Sequence, residues 1–581
     1  MYSYLVIHEE WYPGQNRREL CAVGWGYPLA PDKAKGRSVK GRRRTVAVAA
    51  LVVVILLAGS GLAYLFISAR DEGAGAFVYY TGHPVISLDP ADAADLGSRL
   101  PIENIFDTLV RQKGTSPEEF QPALATGWSA SENGLWYNFT LRQGVKFSNG
   151  NGFNASDVLF TIERIVKMAS PDTGSSVFMS NCVDLASTRV LGAYEVSVKL
   201  LAPRSSFLSF ISQAFPMGMV DREYALSHYA PNDLYAHDYL RLHPVGTGPF
   251  KLRDWSVGTE LTLVASKGYW GGWDGDRVQR VVIRFEPDPE LRLGAVRSGV
   301  AEGAELPAAL KEEVETIQDA QFLTFPSAHM EIVAMNARQG TGGQAFMRDP
   351  DVRLALSHAF DYENTSSGVY MGIMTPLSGC IPQPMPYAAE SQPSKGFAFN
   401  LTRASELLND SGYPLNIKGF RFDALAVKLL YEPGDGLRKE AAEGFASSLR
   451  RLGILVELAV YDRPGPVVDR VWDLYFASLE AWYLDPESCV TSLAVSSGLG
   501  GDIFGTGVNN PDIDSAASLA AAGHDGSSRI TNYTVVWQEL NGEPSMIFVG
   551  QLPTTIVVRN EVDVLNIDPI TSLDLYSIRM V

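Results

Sequence analysis

The sequence predicts an α/β protein that follows one N-terminal transmembrane helix. Residues 136–142 alternate between apolar and polar positions, as a strand does, and apolar residues then repeat at helical spacing from Asn154. The same order recurs later, where an amphipathic helix over residues 437–452 stops at Gly453 and precedes a β-branched run at 454–460. Such alternation favours α/β lobes with mixed sheets.

The membrane segment at residues 45–68 carries no charged residue, and at about 1.5 Å per residue it is long enough to span a hydrocarbon core of about 30 Å. Basic residues precede it and acidic residues follow it, so residues 1–44, which we expect to be a disordered tail, lie in the cytoplasm. A cleaved signal peptide is the alternative, although its apolar core usually has about 7 to 15 residues. We expect a single-pass membrane protein whose large domain is extracytoplasmic.

The composition is that of a folded, acidic protein. Hydrophobic residues make up 46% of the 581 residues, which is sufficient for one large two-lobed body or for about three or four average domains. The formal net charge of -18 argues against a nucleic-acid partner, because phosphate backbones are held mainly by Lys and Arg.

Motifs for metal, nucleotide or covalent chemistry are missing from the sequence. The four cysteines contain no C-x-x-C pair, and the eight histidines contain no H-E-x-x-H. The Gly-Thr-Gly at 246–248 lacks the Lys and Ser/Thr of a phosphate loop, and there is no G-x-S-x-G elbow. We therefore expect no cofactor, no metal and no catalytic residue, and the cysteine pairing stays open.

Five landmarks occur in a fixed order along the outer part of the chain: LDP at 88–90, PIENIFDTLV at 101–110, LWYNFTLRQGVKFSNGNGFNASDVLFTIERI at 135–165, PVGTGPFKL at 244–252 and DPDVRLALSHAFD at 349–361. Together they resemble the family 5 extracellular solute-binding proteins, the oligopeptide- and dipeptide-binding subunits of ABC importers. The resemblance covers nearly all of residues 77–581. One departure is SGVAEGAEL near Ser298, where the family usually has Gly-Glu-x-Asp.

The resemblance implies a non-enzymatic, two-lobed fold of the type II periplasmic-binding-protein kind with an extra subdomain. Lobe I would use residues 77–325, including the subdomain, and return with 541–581, while lobe II would fill 326–540. The lobes would close around a peptide or other small solute by a hinge motion. The implied partners are an ABC permease and its ATPase subunits, and the chain itself is expected to be a monomer.

The resemblance also assigns ligand-binding residues. Asp485 stands three residues after Trp482, the spacing of the carboxylate that holds a peptide ammonium in the peptide-binding branch. The alternative is that Asp485 initiates the turn before Pro486. Trp482 and Tyr483 are candidates for side-chain pockets, and also for the core.

On the opposite lobe, Leu96, Gly97 and Ser98 match the segment that pairs its main chain with the ligand. Leu479 stands where some oligopeptide binders have an Arg, so recognition of a ligand carboxylate by that route is not expected. Two other readings stay open. In the first alternative, the protein is an envelope sensor of peptides. In the second, it binds a non-peptide solute such as a sugar, an opine or a nickel chelate on the same scaffold.

Overall fold

The structure is a computed structural model that describes residues 75–581, apart from 92–94, 114–118, 169–173, 339–343, 384, 394–395, 434–435, 462–471, 497–503, 505, 508, 524 and 565–572. The predicted tail at 1–44 and the predicted membrane helix at 45–68 lie outside these residues. Among the helices that are described, none is both long and apolar enough to cross a membrane.

The strands follow one another in chain order as β1 (Ala76–Thr81), β2 (Val110–Gln112), β3 (Phe120–Pro122), β4 (Ala125–Ala130), β5 (Trp136–Leu141), β6 (Arg189–Gly192), β7 (Glu195–Lys199), β8 (Phe250–Ser256), β9 (Glu260–Ala265), β10 (Arg280–Phe285), β11 (Gly303–Glu305), β12 (Ala320–Met335), β13 (Ala426–Tyr431), β14 (Leu455–Val460), β15 (Leu474–Glu480), β16 (Met546–Arg559), β17 (Val562–Asp563) and β18 (Arg579–Met580).

The α-helices are α1 (Leu96–Ile105), α2 (Ala155–Met168), α3 (Gly174–Cys182), α4 (Phe207–Ile211), α5 (Ala214–Met217), α6 (Arg222–Ser227), α7 (His237–Leu240), α8 (Pro289–Arg297), α9 (Lys311–Val314), α10 (Pro350–His358), α11 (Ala388–Ser391), α12 (Leu401–Asp410), α13 (Leu437–Arg451), α14 (Pro486–Leu493), α15 (Pro511–Ala522) and α16 (Gly526–Gly542). Short 3-10 turns lie at Leu234–Ala236, Ala308–Leu310, Ala345–Arg348 and Phe422–Ala424, and a π-helical turn lies at Asn364–Val369.

A ten-stranded sheet in the order β14-β13-β15-β12-β16-β11-β1-β10-β9-β8 forms the centre of the molecule. Its antiparallel pair β12 and β16 is interrupted between Phe325 and His329. Before this break β16 pairs with β11, and after it β12 pairs with β15. The break therefore divides the sheet into a first half-sheet (β1 and β8–β11) and a second half-sheet (β13–β15).

Each half-sheet has a hydrophobic core of its own. Phe77, Phe250 and Ile283 lie in the core of the first half-sheet, and Leu429 and Phe476 lie in that of the second. A further core belongs to a four-stranded sheet, β4-β5-β7-β6, covered by α2 and α3, which we call the small-sheet unit. Parallel and antiparallel pairs coexist in the large sheet, which confirms the predicted mixed α/β class.

The predicted local elements are confirmed where the sequence pattern was strongest. Strand β5 covers 136–141, helix α2 covers 155–168, and α13 precedes β14 as expected. Gly453 ends α13 with a φ of 81°, a left-handed conformation that favours glycine. Asp157 closes a capping arrangement at the start of α2, where its Oδ2 accepts a 2.8 Å hydrogen bond from the Asn154 N–H.

The first and third landmarks meet in a buried ion pair. Asp89 of the LDP motif accepts hydrogen bonds on both carboxylate oxygens from Arg164 of α2, and His237 lies 3.1 Å from its Oδ2. Both Asp89 and Arg164 are fully buried. Because an unpaired buried charge is very costly, this pair ties the start of the first half-sheet to α2.

The glycines of the fourth landmark are turn residues that allow close backbone packing. A Cβ on Gly246 would lie 2.1 Å from the carbonyl oxygen of Ile105, and one on Gly248 would lie 2.6 Å from the carbonyl carbon. The Gly248 N–H donates a 2.9 Å hydrogen bond to the same oxygen. Only glycine allows this turn to reach the end of α1.

Candidate functional site

Three strand ends converge on the break in the large sheet. Strand β1 ends at Thr81 and β11 ends at Glu305, and the Thr81 hydroxyl donates a 2.9 Å hydrogen bond to Glu305 Oε2. Strand β15 ends at Glu480, which pairs with His329, the first residue after the break. In open α/β sheets ligands bind outside the carboxyl ends of strands. The space between the two half-sheets, here called the gap, is therefore the candidate site.

An ion pair spans this gap. Arg99 lies in α1, which packs on the first half-sheet, and its Nη1 is 3.2 Å from Oε2 of Glu480 in the second half-sheet. Their side chains are 10% and 22% exposed. Glu480 Oε2 is shielded from solvent and accepts no hydrogen bond within the described part of the chain. The two half-sheets thus contact each other through opposite charges with imperfect hydrogen-bond geometry.

On the first-half side of the gap, His83 lies beside Glu305 at a distance of 3.3 Å between Nε2 and Oε1. Burial opposes the charged form of His83, but the hydrogen bond and charge of Glu305 and the charge of Glu480 raise its pKa. Burial likewise opposes ionisation of Glu305, but His83, Arg292 and Thr81 together lower its pKa to about 2. Each of the two groups therefore favours the charged form of the other.

On the second-half side, Glu331 is held by Arg438 through hydrogen bonds of 2.7 and 2.6 Å. His329 lies 3.5 Å from the same carboxylate. Burial disfavours the protonated imidazole, but Glu331 and Glu480 outweigh this effect and raise the pKa of His329. Cationic and anionic groups consequently alternate around the gap, so it suits a ligand that carries charges of both signs.

A small pocket on the first half-sheet, lined by residues of β1, β8, β9 and β10, contains about 190 Å³ of empty volume, part of it open to solvent. Its lining includes Thr81, His83, Trp255 and Glu260. Pockets that hold small molecules usually measure about 300 to 1,000 Å³. This pocket is smaller than that range, and no residue of the second half-sheet lines it.

The structure places Asp485 at the N-terminus of α14. It is 1% exposed, and its Oδ1 accepts hydrogen bonds of 2.9 Å from the Glu487 N–H and 2.6 Å from Arg529 Nη2. Arg529 also donates to the Tyr533 hydroxyl at 2.8 Å. Asp485 is therefore a helix cap with a buried counter-charge, and whether its carboxylate also meets a ligand stays a prediction.

Trp482 and Tyr483 face the small-sheet unit. The Tyr483 ring is buried 5.3 Å from the ring of Phe178 and 5.5 Å from that of Phe210. Trp482 packs half-buried against the same cluster. Glu487 strengthens this contact by accepting hydrogen bonds from the Ser206 hydroxyl and from Arg204. The segment 482–487 thus connects the second half-sheet to the small-sheet unit.

The remaining predicted residues begin α1. The Leu96 side chain is 44% exposed, whereas Gly97 and Ser98 are buried. A Cβ on Gly97 would lie 2.3 Å from the carbonyl oxygen of Pro84. The Ser98 hydroxyl oxygen accepts 3.0 Å hydrogen bonds from the N–H groups of residues 86 and 87. These contacts hold α1 in place next to the gap, and contact of the three residues with a ligand stays a prediction.

Sequence reasoning did not find Arg99, Glu480, His83 and His329. Single charged residues are too common to be informative, and these four meet only because β12 pairs with β15 at one register. One weak signal exists: Glu480 is a charged residue that ends the apolar run of β15, and Arg99 directly follows the predicted segment 96–98. Charged residues at strand ends are frequent in any α/β protein, so this signal has low specificity.

The fold and the charged gap define a solute-binding protein of the periplasmic-binding-protein type. Residues 119–501 match the model of the bacterial extracellular solute-binding proteins, family 5 middle region, and the chain belongs to this family. It is a binding protein of an ABC importer and not an enzyme.

Individual relatives agree with this assignment. The chain is 28% identical over 410 residues to the glutathione-binding protein GsiB of Salmonella typhi. The aligned region covers 70% of this chain and 72% of GsiB. The structure is similar to that of the periplasmic binding protein DppA from Helicobacter pylori in complex with the peptide STSA, with a TM-score of 0.74 and 23% identity over 87% of this chain and 98% of DppA. It is also similar to NikZ from Campylobacter jejuni in complex with Ni(L-His), with a TM-score of 0.73 and 20% identity over 87% and 100% of the two chains.

Proposed function

We propose that this chain captures a dipeptide or oligopeptide on the outer side of the cytoplasmic membrane and delivers it to an ABC permease driven by ATPase subunits. The observation that carries the proposal is the gap at the break in β12, where Arg99 and Glu480 face each other from the two half-sheets. A peptide offers an ammonium, a carboxylate and unpaired amides, and the gap supplies groups of both charges. The binding of glutathione, a tripeptide, by GsiB supports the same ligand class.

Capture proceeds by closure of two lobes about the break. Lobe I comprises residues 77–325 with the small-sheet unit and 541–581, and lobe II comprises 326–540. A ligand that contacts both lobes stabilises the closed arrangement by its higher affinity for that state. Asp485, Trp482 and Tyr483 contribute to the site from lobe II, and the start of α1 at residues 96–98 contributes from lobe I.

Asp485 retains a route to a ligand ammonium despite its pairing with Arg529. Both hydrogen bonds that the described residues donate to its carboxylate end on Oδ1. An ionised carboxylate accepts about four hydrogen bonds on two oxygens, so Oδ2 has capacity for another donor. Movement of segment 482–487 away from the small-sheet unit would expose that oxygen.

The chain stays in the membrane through residues 45–68, with the binding unit on the extracytoplasmic side. Membrane fractionation tests this placement, because the full chain should resist extraction by carbonate and a chain that starts at residue 71 should not. Sequencing of the mature N-terminus separates the anchor from a cleaved signal peptide. A mature chain that begins after residue 68 would contradict the anchor.

A thermal-shift screen of the full chain in detergent tests the ligand class. The panel contains di- to pentapeptides, glutathione, maltose, and nickel with L-histidine. A ligand at 100 times its Kd adds roughly 2.7 kcal/mol to the free energy of unfolding, which produces a clear rise in Tm. Peptides should raise Tm and maltose should not. The proposal fails if maltose or the nickel chelate raises Tm and no peptide does.

A further inference from the structure

We propose that Arg99 and Glu480 together recognise the α-amino-acid end of the ligand, in which an ammonium and a carboxylate share one carbon. The substrate class is then a peptide with a free α-amino-acid group, such as a γ-glutamyl peptide. This specificity rests on the peptide capture proposed above. The two residues are an ion pair in the closed gap and exchange partners with the ligand when it enters.

Glu480 supplies a carboxylate for the ammonium at this end of the ligand, in addition to the one proposed for Asp485. Its Oε2 is shielded from solvent and accepts no hydrogen bond from the described residues, although Arg99 Nη1 lies 3.2 Å away. A buried carboxylate oxygen that accepts no hydrogen bond is costly, so a charged donor in good geometry improves its environment. An ammonium brings three such donors on one compact group.

Arg99 supplies the site for the carboxylate. Its guanidinium lies over the ring of Phe215, 5.4 Å from the ring centroid, and its side chain is only 10% exposed. This contact and the burial restrict the movement of the Arg99 side chain before a ligand arrives, which lowers the entropy lost on binding. A planar guanidinium matches a carboxylate through two parallel hydrogen bonds.

The separation of the two protein groups selects the kind of ligand. Since Arg99 and Glu480 are 3.2 Å apart, one ligand contacts both at this separation only if its ammonium and its carboxylate lie similarly close together. The termini of an ordinary peptide are at least one residue apart, about 3.3 to 3.6 Å for each residue of extended chain. The ammonium and carboxylate of a free α-amino-acid group share one carbon, so this group fits the pair.

Two isomeric dipeptides test the proposal. γ-Glutamylalanine and α-glutamylalanine have the same composition, but only the γ isomer carries an ammonium and a carboxylate on one carbon. Isothermal titration of the full chain should give a Kd at least about tenfold lower for the γ isomer, and Arg99→Gln and Glu480→Gln should each remove most of this preference. Variants of an exposed ion pair in α12, Arg403→Gln and Glu406→Gln, should keep it.

The outcomes separate this specificity from the broader function. If peptides bind the wild-type chain without a preference for the γ isomer, or if both gap variants retain the preference, the assignment of Arg99 and Glu480 is wrong while peptide capture stands. If only maltose or the nickel chelate binds, peptide capture itself is wrong and the assignment falls with it. Should Arg99→Gln fail to fold, Arg99→Lys keeps the charge without the planar fork and should show a reduced preference.

Discussion

Arg529 donates a 2.6 Å hydrogen bond to Asp485, and the two side chains are 4% and 1% exposed. The carboxylate is thus neutralised inside the protein before any ligand arrives. Removal of one partner from a buried ion pair leaves an uncompensated charge, which typically costs about 3 to 5 kcal/mol.

Asp485→Asn should therefore lower the free energy of unfolding by about 3 to 5 kcal/mol, because Arg529 then lacks its counter-charge. Urea denaturation measures this loss. The double variant Asp485→Asn with Arg529→Gln should recover part of it, since no isolated charge is left. A single variant as stable as the wild type would show that the pair contributes little.

The same variant tests the ammonium role of Asp485. Asp485→Asn should weaken binding of free-amine peptides much more than binding of their N-acetylated forms, because only the former carry a positive end. Titration calorimetry at a temperature where the variant is folded gives both affinities. Equal losses for the two kinds of peptide would exclude a direct contact between Asp485 and the amine.

Asp89 should make stability depend on acid pH. Burial opposes its ionisation, but Arg164 and His237 lower its pKa from 3.8 to about 2. A folded-state pKa below the unfolded value gives stability that is present above about pH 4 and lost as the pH falls towards 2, about 2 kcal/mol in all. Unfolding free energies at a series of pH values measure the loss, and Asp89→Asn should remove this component of the slope.

His83 and His329 should have the opposite pH dependence. His83 is faced by the carboxylates of Glu305 and Glu480 and by Arg292. His329 is faced by the carboxylates of Glu331 and Glu480 and by Arg438. In both cases the carboxylates prevail, so both histidine pKa values lie above 6.5. The associated stability is present below about pH 6.5 and is lost as the pH rises through the folded-state values.

His83→Gln should therefore destabilise the protein more at pH 5 than at pH 9, as measured by the urea midpoint. His243→Gln replaces an exposed histidine and serves as the control. The same loss at both pH values for His83→Gln would mean that the charge of its imidazole does not stabilise the fold.

Gly246→Ala should destabilise the fold by about 1 to 3 kcal/mol or more, because the new methyl group would lie 2.1 Å from the Ile105 carbonyl oxygen. Gly127→Ala in β4 is the matched control, since no heavy atom lies within 4 Å of its added Cβ. Thermal melts of the two variants measure the difference. Equal Tm values would show that the turn moves away from α1 at no cost.

Local patterns predicted local structure well. Strand β5 and helices α2 and α13 lie where hydrophobic periodicity places them, because each is specified by a face that must be buried. The charged residues of the gap could not be predicted, since Arg99 of α1 and Glu480 of β15 are far apart in the sequence and meet only in the folded chain. The pairing of Asp485 with Arg529 of α16 was equally invisible, because it depends on how two helices pack.

The interruption of β12 at residues 326–328 separates the parts of the large sheet that line the gap. Each half-sheet keeps its own ladder and its own core on either side of that point. Exposed rim residues outside the buried ion pairs and cores are then the positions least constrained by folding. Folds similar to this one hold a peptide in DppA and a metal complex in NikZ, so the shared framework accepts ligands of different chemistry.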